Sequence, residues 1–156
     1  MRAAASTLPD LRLSRRVITR PRDDDSEDFE PASTEEFARR RTAGGFVLDW
    51  QAHGLLYGVP RPDAPRVWLM NLSRRMLPQA AVVLPGLAVI HVTADPAILA
   101  ARLTRRGREA ATDIAARIAR DAAFDTAGLC VITIDNSGGL ADAEAAFISA
   151  VQELSP

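Results

Sequence analysis

Short apolar runs alternate with helical patterns along almost the whole of this chain, and this alternation limits the possible folds more than any other feature. Residues 87–92 and 129–134 are nearly continuous apolar runs, which are typical of strands buried in a parallel sheet. Further strands are predicted at residues 11–18, 46–50, 55–59 and 67–70, and helices at 1–7, 33–42, 75–83 and 140–154. The sequence therefore predicts an α/β fold, a mainly parallel sheet flanked by helices, in one domain of residues 1–156.

Composition excludes several classes of protein. The chain has 156 residues, 47% of them hydrophobic, and a formal net charge of -1, which argues against a general nucleic-acid or membrane-surface binder. Its longest apolar run, residues 80–89, contains Pro85 and Gly86 and cannot span a membrane. Cys130 is the single cysteine, so no intrachain disulfide or cysteine zinc site can form, and its apolar strand predicts a core position. We expect a cytoplasmic protein without a metal site of its own.

Arginines cluster where a helix is predicted after residue 94. Asp95, followed by proline, has the pattern of a helix N-cap, and Arg102 and Arg106 then fall four apart on one face. Arg117 follows in a second predicted helix, beyond a glycine hinge. Several guanidiniums on two hinged helices suit a mobile clamp on a polyphosphate, because planar bidentate donors match phosphate oxygens. The alternative is a solvated arginine face.

Polar residues follow the predicted strands at their carboxyl ends, where open α/β sheets place ligands. These residues are Thr19, Arg20, Asn71, Ser73, Arg74, Asp135 and Asn136. For Arg20 the alternative is a surface position, for Ser73 a helix cap, and for Asn136 a simple turn. Residues 21–31 form an acidic segment that includes Glu27, and their composition alone predicts a solvated loop.

Two short strands around Gln-Ala-His-Gly at residues 51–54 predict a β-hairpin. His53 would lie in its turn, where it could bind a ligand or simply be exposed. Tyr57 could pack against the core or offer its phenol to a phosphate. Before the hairpin, Ser33 and Glu36 have the spacing of a capping box.

Four segments, in this order, resemble the guanylate-kinase-like branch of the nucleoside monophosphate kinases, and within it the ribose 1,5-bisphosphate phosphokinases of phosphonate catabolism. They are Arg-Val-Ile-Thr-Arg at 16–20, Trp-Gln-Ala-His-Gly-Leu-Leu-Tyr-Gly-Val at 50–59, Asn-Leu-Ser-Arg at 71–74 and Arg-Leu-Thr-Arg-Arg-Gly-Arg-Glu at 102–109. The resemblance implies transfer of the γ-phosphoryl of ATP, with Mg²⁺, to the 1-phosphate of ribose 1,5-bisphosphate. Its product is phosphoribosyl diphosphate.

The resemblance also implies residue roles. In an acceptor-binding region of about residues 20–60, Arg20 and Tyr57 would hold the acceptor phosphate. In a lid of about residues 102–117, three arginines would clamp the ATP phosphates as catalytic residues: Arg102, Arg106 and Arg117. Further acceptor contacts are expected from Glu27, His53, Asn71, Ser73 and Arg74, and a contact with adenine from Asn136. Guanylate kinases read guanine with a Ser or Thr and an Asp where this chain has Val59 and Asn71, so the departures favour a sugar bisphosphate over GMP.

A P-loop is missing from these 156 residues. All 19 basic residues are arginines, so no Gly-x-x-x-x-Gly-Lys-Ser/Thr motif can occur. The family pattern would place its first strand and its phosphate loop before Met1, and we expect both to be absent from this chain. From this we expect little kinase activity from the chain alone and a weakly paired zone at the sheet centre. The alternatives are a non-catalytic homologue and, with less support, a guanylate kinase.

Overall fold

The computed structural model describes residues 1–21, 28–63, 66–106, 126 and 128–155, which fall into two compact units, Met1–Leu72 and Ser73–Pro156. In the first unit the helices are α1 (Arg2–Thr7) and α2 (Thr34–Thr42), and the strands are β1 (Leu11–Leu13), β2 (Val17–Ile18), β3 (Glu30–Pro31), β4 (Phe46–Ala52), β5 (Leu55–Pro60) and β6 (Val67–Leu69). In the second unit a 3-10 helix (Arg74–Met76) precedes α3 (Leu77–Val83), β7 (Ala88–Thr93), α4 (Pro96–Arg106), β8 (Cys130–Asp135) and α5 (Leu140–Leu154). The α/β prediction is confirmed.

Two sheets make up the first unit. β1 and β6 pair in parallel, whereas the second sheet has the order β3-β2-β5-β4 and is mixed, with β2 parallel to β3 and antiparallel to β5. The prediction of one strand over residues 11–18 is wrong, because the chain changes sheets at residues 14–16. The Ser14 amide still donates to Leu69 of β6, at 3.0 Å, whereas the Arg16 carbonyl already accepts from Glu30 of β3, at 2.8 Å.

The predicted hairpin is confirmed as β4 and β5. Its two turn residues both have positive φ, 51° at His53 and 73° at Gly54, as a two-residue type I′ turn requires. The antiparallel register then places Trp50 opposite Tyr57.

The core of the first unit lies between the mixed sheet and α2. Val17, Phe37 and Phe46 form a buried cluster, in which the two phenyl rings lie 4.7 Å apart. Gly58 is opposite Val17, and a Cβ atom there would lie only 2.6 Å from the Phe46 ring. Glycine therefore lets the ring lie against the strand.

Half of the predicted capping box forms at the start of α2. The Ser33 hydroxyl oxygen accepts a hydrogen bond from the Glu36 amide at 3.1 Å, but the Glu36 carboxylate turns to Arg40, at 2.6 Å, rather than back to the cap. Glu35 also lies in the first turn of α2. Hydrogen bonds from its own backbone amide and from the Ser33 hydroxyl lower the pKa of Glu35.

In the second unit β7 and β8 form a parallel pair, with Ala88 opposite Cys130, and α5 packs against both strands. The prediction that these strands are buried is wrong for most positions: Ile134 is buried, but Val92 is 47% exposed. Cys130 is exposed and does not lie in the core as predicted. In the part of the chain that the structure describes, each strand has only one neighbour, which leaves its other edge uncovered by a strand.

The predicted helix at residues 75–83 is confirmed with one change, because its first turn is the 3-10 helix that starts at Arg74. Ser73 precedes this turn but makes no capping hydrogen bond through its side chain. No helix among the described residues is long and apolar enough to cross a lipid bilayer.

Candidate active site

Arg20 is the second residue after β2, and the backbone and side chain of Thr19, between them, fix the chain. The Thr19 amide donates to the Leu56 carbonyl at 3.1 Å, and the Thr19 hydroxyl oxygen accepts from the Leu56 amide at 2.8 Å. The Arg20 guanidinium lies over the Phe29 ring, 4.6 Å from its centroid. Its Nε is buried and has no hydrogen-bond partner among the described residues. An unpaired buried donor is costly, and an anionic ligand would satisfy it.

Beside Arg20, a cavity of about 550 Å³ opens at the start of α2. It is lined by Thr19, Arg20, Pro21, Pro31, Ala32, Ser33, Thr34 and Glu35. A guanidinium, a carboxylate and several hydroxyls thus share one cavity, and these groups can bind a phosphate and the hydroxyls of a sugar.

Tyr57 stacks on Trp50 across the β4–β5 hairpin, with ring centroids 5.3 Å apart and planes 4° from parallel. The Arg16 guanidinium lies over both rings, 5.5 Å from the Tyr57 centroid and 5.8 Å from the Trp50 centroid. Sequence reasoning assigned no role to Arg16 or Trp50. Both residues could have been identified as site candidates because they belong to the two sequence motifs that contain Arg20 and Tyr57.

Arg102 and Asn136, both predicted site residues, come together in the second unit. The Arg102 Nη1 donates to the Asn136 carbonyl at 2.6 Å, and its Nη2 donates to the Gly138 carbonyl at 3.3 Å. The arginine therefore ties α4 to the loop after β8.

A chain of hydrogen bonds holds the same loop from its other side. The Asp135 carboxylate accepts from the Ser137 hydroxyl and from the Ser137 amide, the latter at 2.9 Å, and these bonds lower the pKa of Asp135. The Ser137 hydroxyl oxygen in turn accepts from the Asp95 amide at 2.7 Å. Asp95 caps α4 as predicted, because its carboxylate accepts from the Ala97 amide at 2.8 Å. The loop after β8 and the start of α4 thus form one connected element.

Arg74 acts on a residue that sequence reasoning missed. Burial, and then the positive charge of Arg74, lower the pKa of His91 on β7 below its usual 6.5. Arg74 and His91 are seventeen positions apart in sequence, so the sequence alone does not show that the charge of Arg74 acts on this imidazole.

The other predicted site residues have different placements. His53 is exposed in the hairpin turn, and Asn71 is exposed near the end of the first unit. Glu27 and Arg117 lie outside the described residues, and Arg106 is described only as the last residue of α4. Val59, where the resemblance implies a guanine-reading residue, is 0% exposed on β5.

Comparison with known proteins decides the family. The chain is 37% identical to the ribose 1,5-bisphosphate phosphokinase of Agrobacterium fabrum over 97% of its own length and 85% of that protein. It is 45% identical to the enzyme of the same name from Ruegeria sp., over 86% of this chain and 74% of that protein. The chain belongs to the ribose 1,5-bisphosphate phosphokinase family. No protein-family model matches it.

The fold of this ribose 1,5-bisphosphate phosphokinase family member is that of a guanylate kinase. The crystal structure of guanylate kinase from Anaplasma phagocytophilum matches with a TM-score of 0.69, covering 99% of this chain and 81% of that one. The two sequences are 20% identical, so the likeness concerns the fold alone.

Proposed function

We propose that this chain is a kinase that transfers the γ-phosphoryl group of ATP to ribose 1,5-bisphosphate and forms phosphoribosyl diphosphate. The observation that carries the proposal is the identity of 37% and 45% to two relatives that bear this enzyme's name. An oxygen of the 1-phosphate attacks the γ-phosphorus, the bond to the β-phosphate oxygen breaks, and ADP leaves. Because the acceptor oxygen is already anionic, positioning and neutralisation of charge suffice without a strong general base.

The acceptor side of the proposal rests on the first unit. The buried Nε of Arg20, which has no hydrogen-bond partner among the described residues, offers a donor to a phosphate, and the stacked Tyr57 carries a phenol suited to the same task. Buried Val59 supports a sugar acceptor, because its apolar side chain has no hydrogen-bonding group to offer guanine. We assign further acceptor contacts to Glu27, His53, Asn71, Ser73 and Arg74, as the resemblance implies.

On the nucleotide side we assign the phosphates of ATP to Arg102, Arg106 and Arg117, and adenine to Asn136. For Arg102 this assignment requires that its bonds to the carbonyls of residues 136 and 138 open when ATP binds. The described residues include no cluster of three or more His, Cys, Asp or Glu placed to hold a metal ion. We therefore assign Mg²⁺ to the ATP phosphates, whose negative charge it neutralises. The assignment to the cytoplasm remains a prediction.

A transfer assay tests the proposal. The purified chain is incubated with ATP labelled in its γ-phosphate and with either ribose 1,5-bisphosphate or GMP, and labelled products are separated. We expect little transfer, because these 156 residues contain no Gly-x-x-x-x-Gly-Lys-Ser/Thr motif, and the label that is transferred should appear in phosphoribosyl diphosphate in excess of GDP. Preference for GMP would contradict the proposal in favour of a guanylate kinase, and binding of both substrates without transfer would identify the non-catalytic homologue.

A further inference from the structure

Arg16 lies just before the acceptor-binding region, and the proposed reaction has not used it. It stands directly before β2, and its carbonyl accepts the Glu30 amide at 2.8 Å, which fixes its backbone against β3. Its guanidinium lies on the opposite side, over Tyr57 and Trp50 on β5 and β4. These contacts hold the guanidinium over the two rings, whose negative faces attract a cation.

Arg20 approaches the same part of the sheet from the other end of β2. The parallel register pairs Val17 with Glu30, so Phe29, under the Arg20 guanidinium, lies beside Arg16. The antiparallel register pairs Ile18 with Tyr57, the residue under the Arg16 guanidinium. The Arg20 side chain therefore extends toward the start of β2 on the side of β3. The Arg16 side chain extends toward the end of β2 on the side of β5.

This placement puts the two positive charges over rings on opposite sides of β2. Ile18 lies opposite Tyr57, and the β2–β3 register continued by one residue places Arg16 opposite Phe29, so the two rings share one face of the mixed sheet. Flanking strands on either side of a central strand lie about 10 Å apart, which is two strand spacings. A pentose with a phosphate at each end presents two dianions at a fixed separation, whereas a monophosphate presents one.

We propose that Arg16 holds the 5-phosphate of the acceptor and Arg20 its 1-phosphate, so that Arg16 selects a sugar bisphosphate over a monophosphate. The inference rests on the proposed function, because that function supplies the sugar bisphosphate. Arg16 is then a binding residue for specificity, with no part in the transfer of the phosphoryl group.

Calorimetric titration of the whole chain with ribose 1,5-bisphosphate, ribose 5-phosphate and ribose 1-phosphate tests the proposal. Arg16→Gln should weaken binding of the bisphosphate and of ribose 5-phosphate by about 10- to 100-fold, the loss expected for a charge-assisted hydrogen bond. Binding of ribose 1-phosphate should stay unchanged in Arg16→Gln, which also shows that the variant folds. Arg20→Gln should give the reverse pattern for the two monophosphates.

Arg12→Gln is the matched control, since Arg12 is an exposed arginine of β1 whose guanidinium donates to the Pro9 carbonyl at 3.1 Å. It should bind all three ligands as the wild type does. Arg16→Lys should recover part of the lost affinity, because it restores the charge but not the planar, stacked donor.

Separate outcomes contradict the inference and the proposed function. The role of Arg16 is wrong, and the proposed function stands, if the wild type binds ribose 1,5-bisphosphate and Arg16→Gln binds it equally well. The same conclusion follows if Arg16→Gln weakens binding of ribose 1-phosphate as much as it weakens binding of ribose 5-phosphate. If the wild type fails to bind ribose 1,5-bisphosphate, the proposed function fails and the inference falls with it.

Discussion

At the scale of single residues, Gly58 has the least space for an added Cβ atom among the glycines that the structure describes. A Cβ atom at this position would meet three atoms of the Phe46 ring at 2.6 to 2.8 Å, and that ring is held by Phe37 in the core. Gly58→Ala should therefore lower the free energy of unfolding by about 1–3 kcal/mol. In a thermal melt this corresponds to a decrease in Tm of about 2–4 °C for each kcal/mol.

Gly138→Ala is the control for this prediction, because a Cβ atom there would have no atom of the described residues within 4 Å and the backbone φ is not positive. Its Tm should stay close to that of the wild type. Equal stability of Gly58→Ala and the wild type would show that Phe46 can move away at no cost, contrary to the packing described above.

His91 gives a prediction for pH. Its pKa in the folded state is lowered from 6.5, first by burial and then by Arg74, so the unfolded chain takes up a proton more readily. This contribution to stability is complete above about pH 6.5 and is lost as the pH falls from that value through the lower pKa of the folded state. His91→Gln should therefore reduce the loss of stability between about pH 7.5 and about pH 5.5, measured as the urea midpoint.

The second histidine supplies the comparison, since His53 lies exposed in the hairpin turn. His53→Asn, with a residue that accepts positive φ, removes that histidine and leaves His91 in place, so it is measured beside His91→Gln. If His91→Gln keeps the pH dependence of the wild type, the environment of His91 does not favour the neutral imidazole.

At the scale of elements, the connection between α4 and the loop after β8 depends on Arg102. Its guanidinium bridges two backbone carbonyls, a geometry that a lysine ammonium cannot reproduce. Arg102→Lys should lower the free energy of unfolding by about 1–3 kcal/mol. Urea unfolding measures the change.

Arg105→Lys is the matched control, because Arg105 is an exposed arginine of the same helix. It should unfold at the urea concentration of the wild type. Should the two lysine variants unfold alike, the bonds of Arg102 do not stabilise the fold, and only its proposed role with ATP would remain.

Local signals explain which elements could be predicted from the sequence. The hairpin could be predicted because its turn contains a glycine, which readily adopts the positive φ that such a turn requires. The start of α4 could be predicted from the Asp95 cap. The division of residues 11–18 between two sheets left no local trace, because apolar residues such as Leu13 and Val17 suit a strand in either sheet. Similarly, the low burial of β7 and β8 depends on how many strands pair with them. The pattern of apolar residues in the sequence does not indicate this number.

At the scale of the whole molecule, the family and its fold could be predicted because their motifs are contiguous in sequence. Arg20 and Tyr57 were found in this way, and the structure gives each a well-defined setting. The stack of Arg16 on Trp50 and Tyr57 could not be found, because it depends on the register between three strands. The bonds of Arg102 were missed for a similar reason, since their acceptors are backbone carbonyls more than thirty residues away.

The central claim is that this guanylate-kinase fold binds a sugar bisphosphate in place of GMP. Its most direct test is a pair of calorimetric titrations of the purified chain, one with ribose 1,5-bisphosphate and one with GMP, in the same buffer. Because buried Val59 cannot read guanine, we predict a Kd for ribose 1,5-bisphosphate at least about tenfold below that for GMP, a difference of about 1.4 kcal/mol. Binding of GMP as tight as, or tighter than, that of ribose 1,5-bisphosphate would contradict the account.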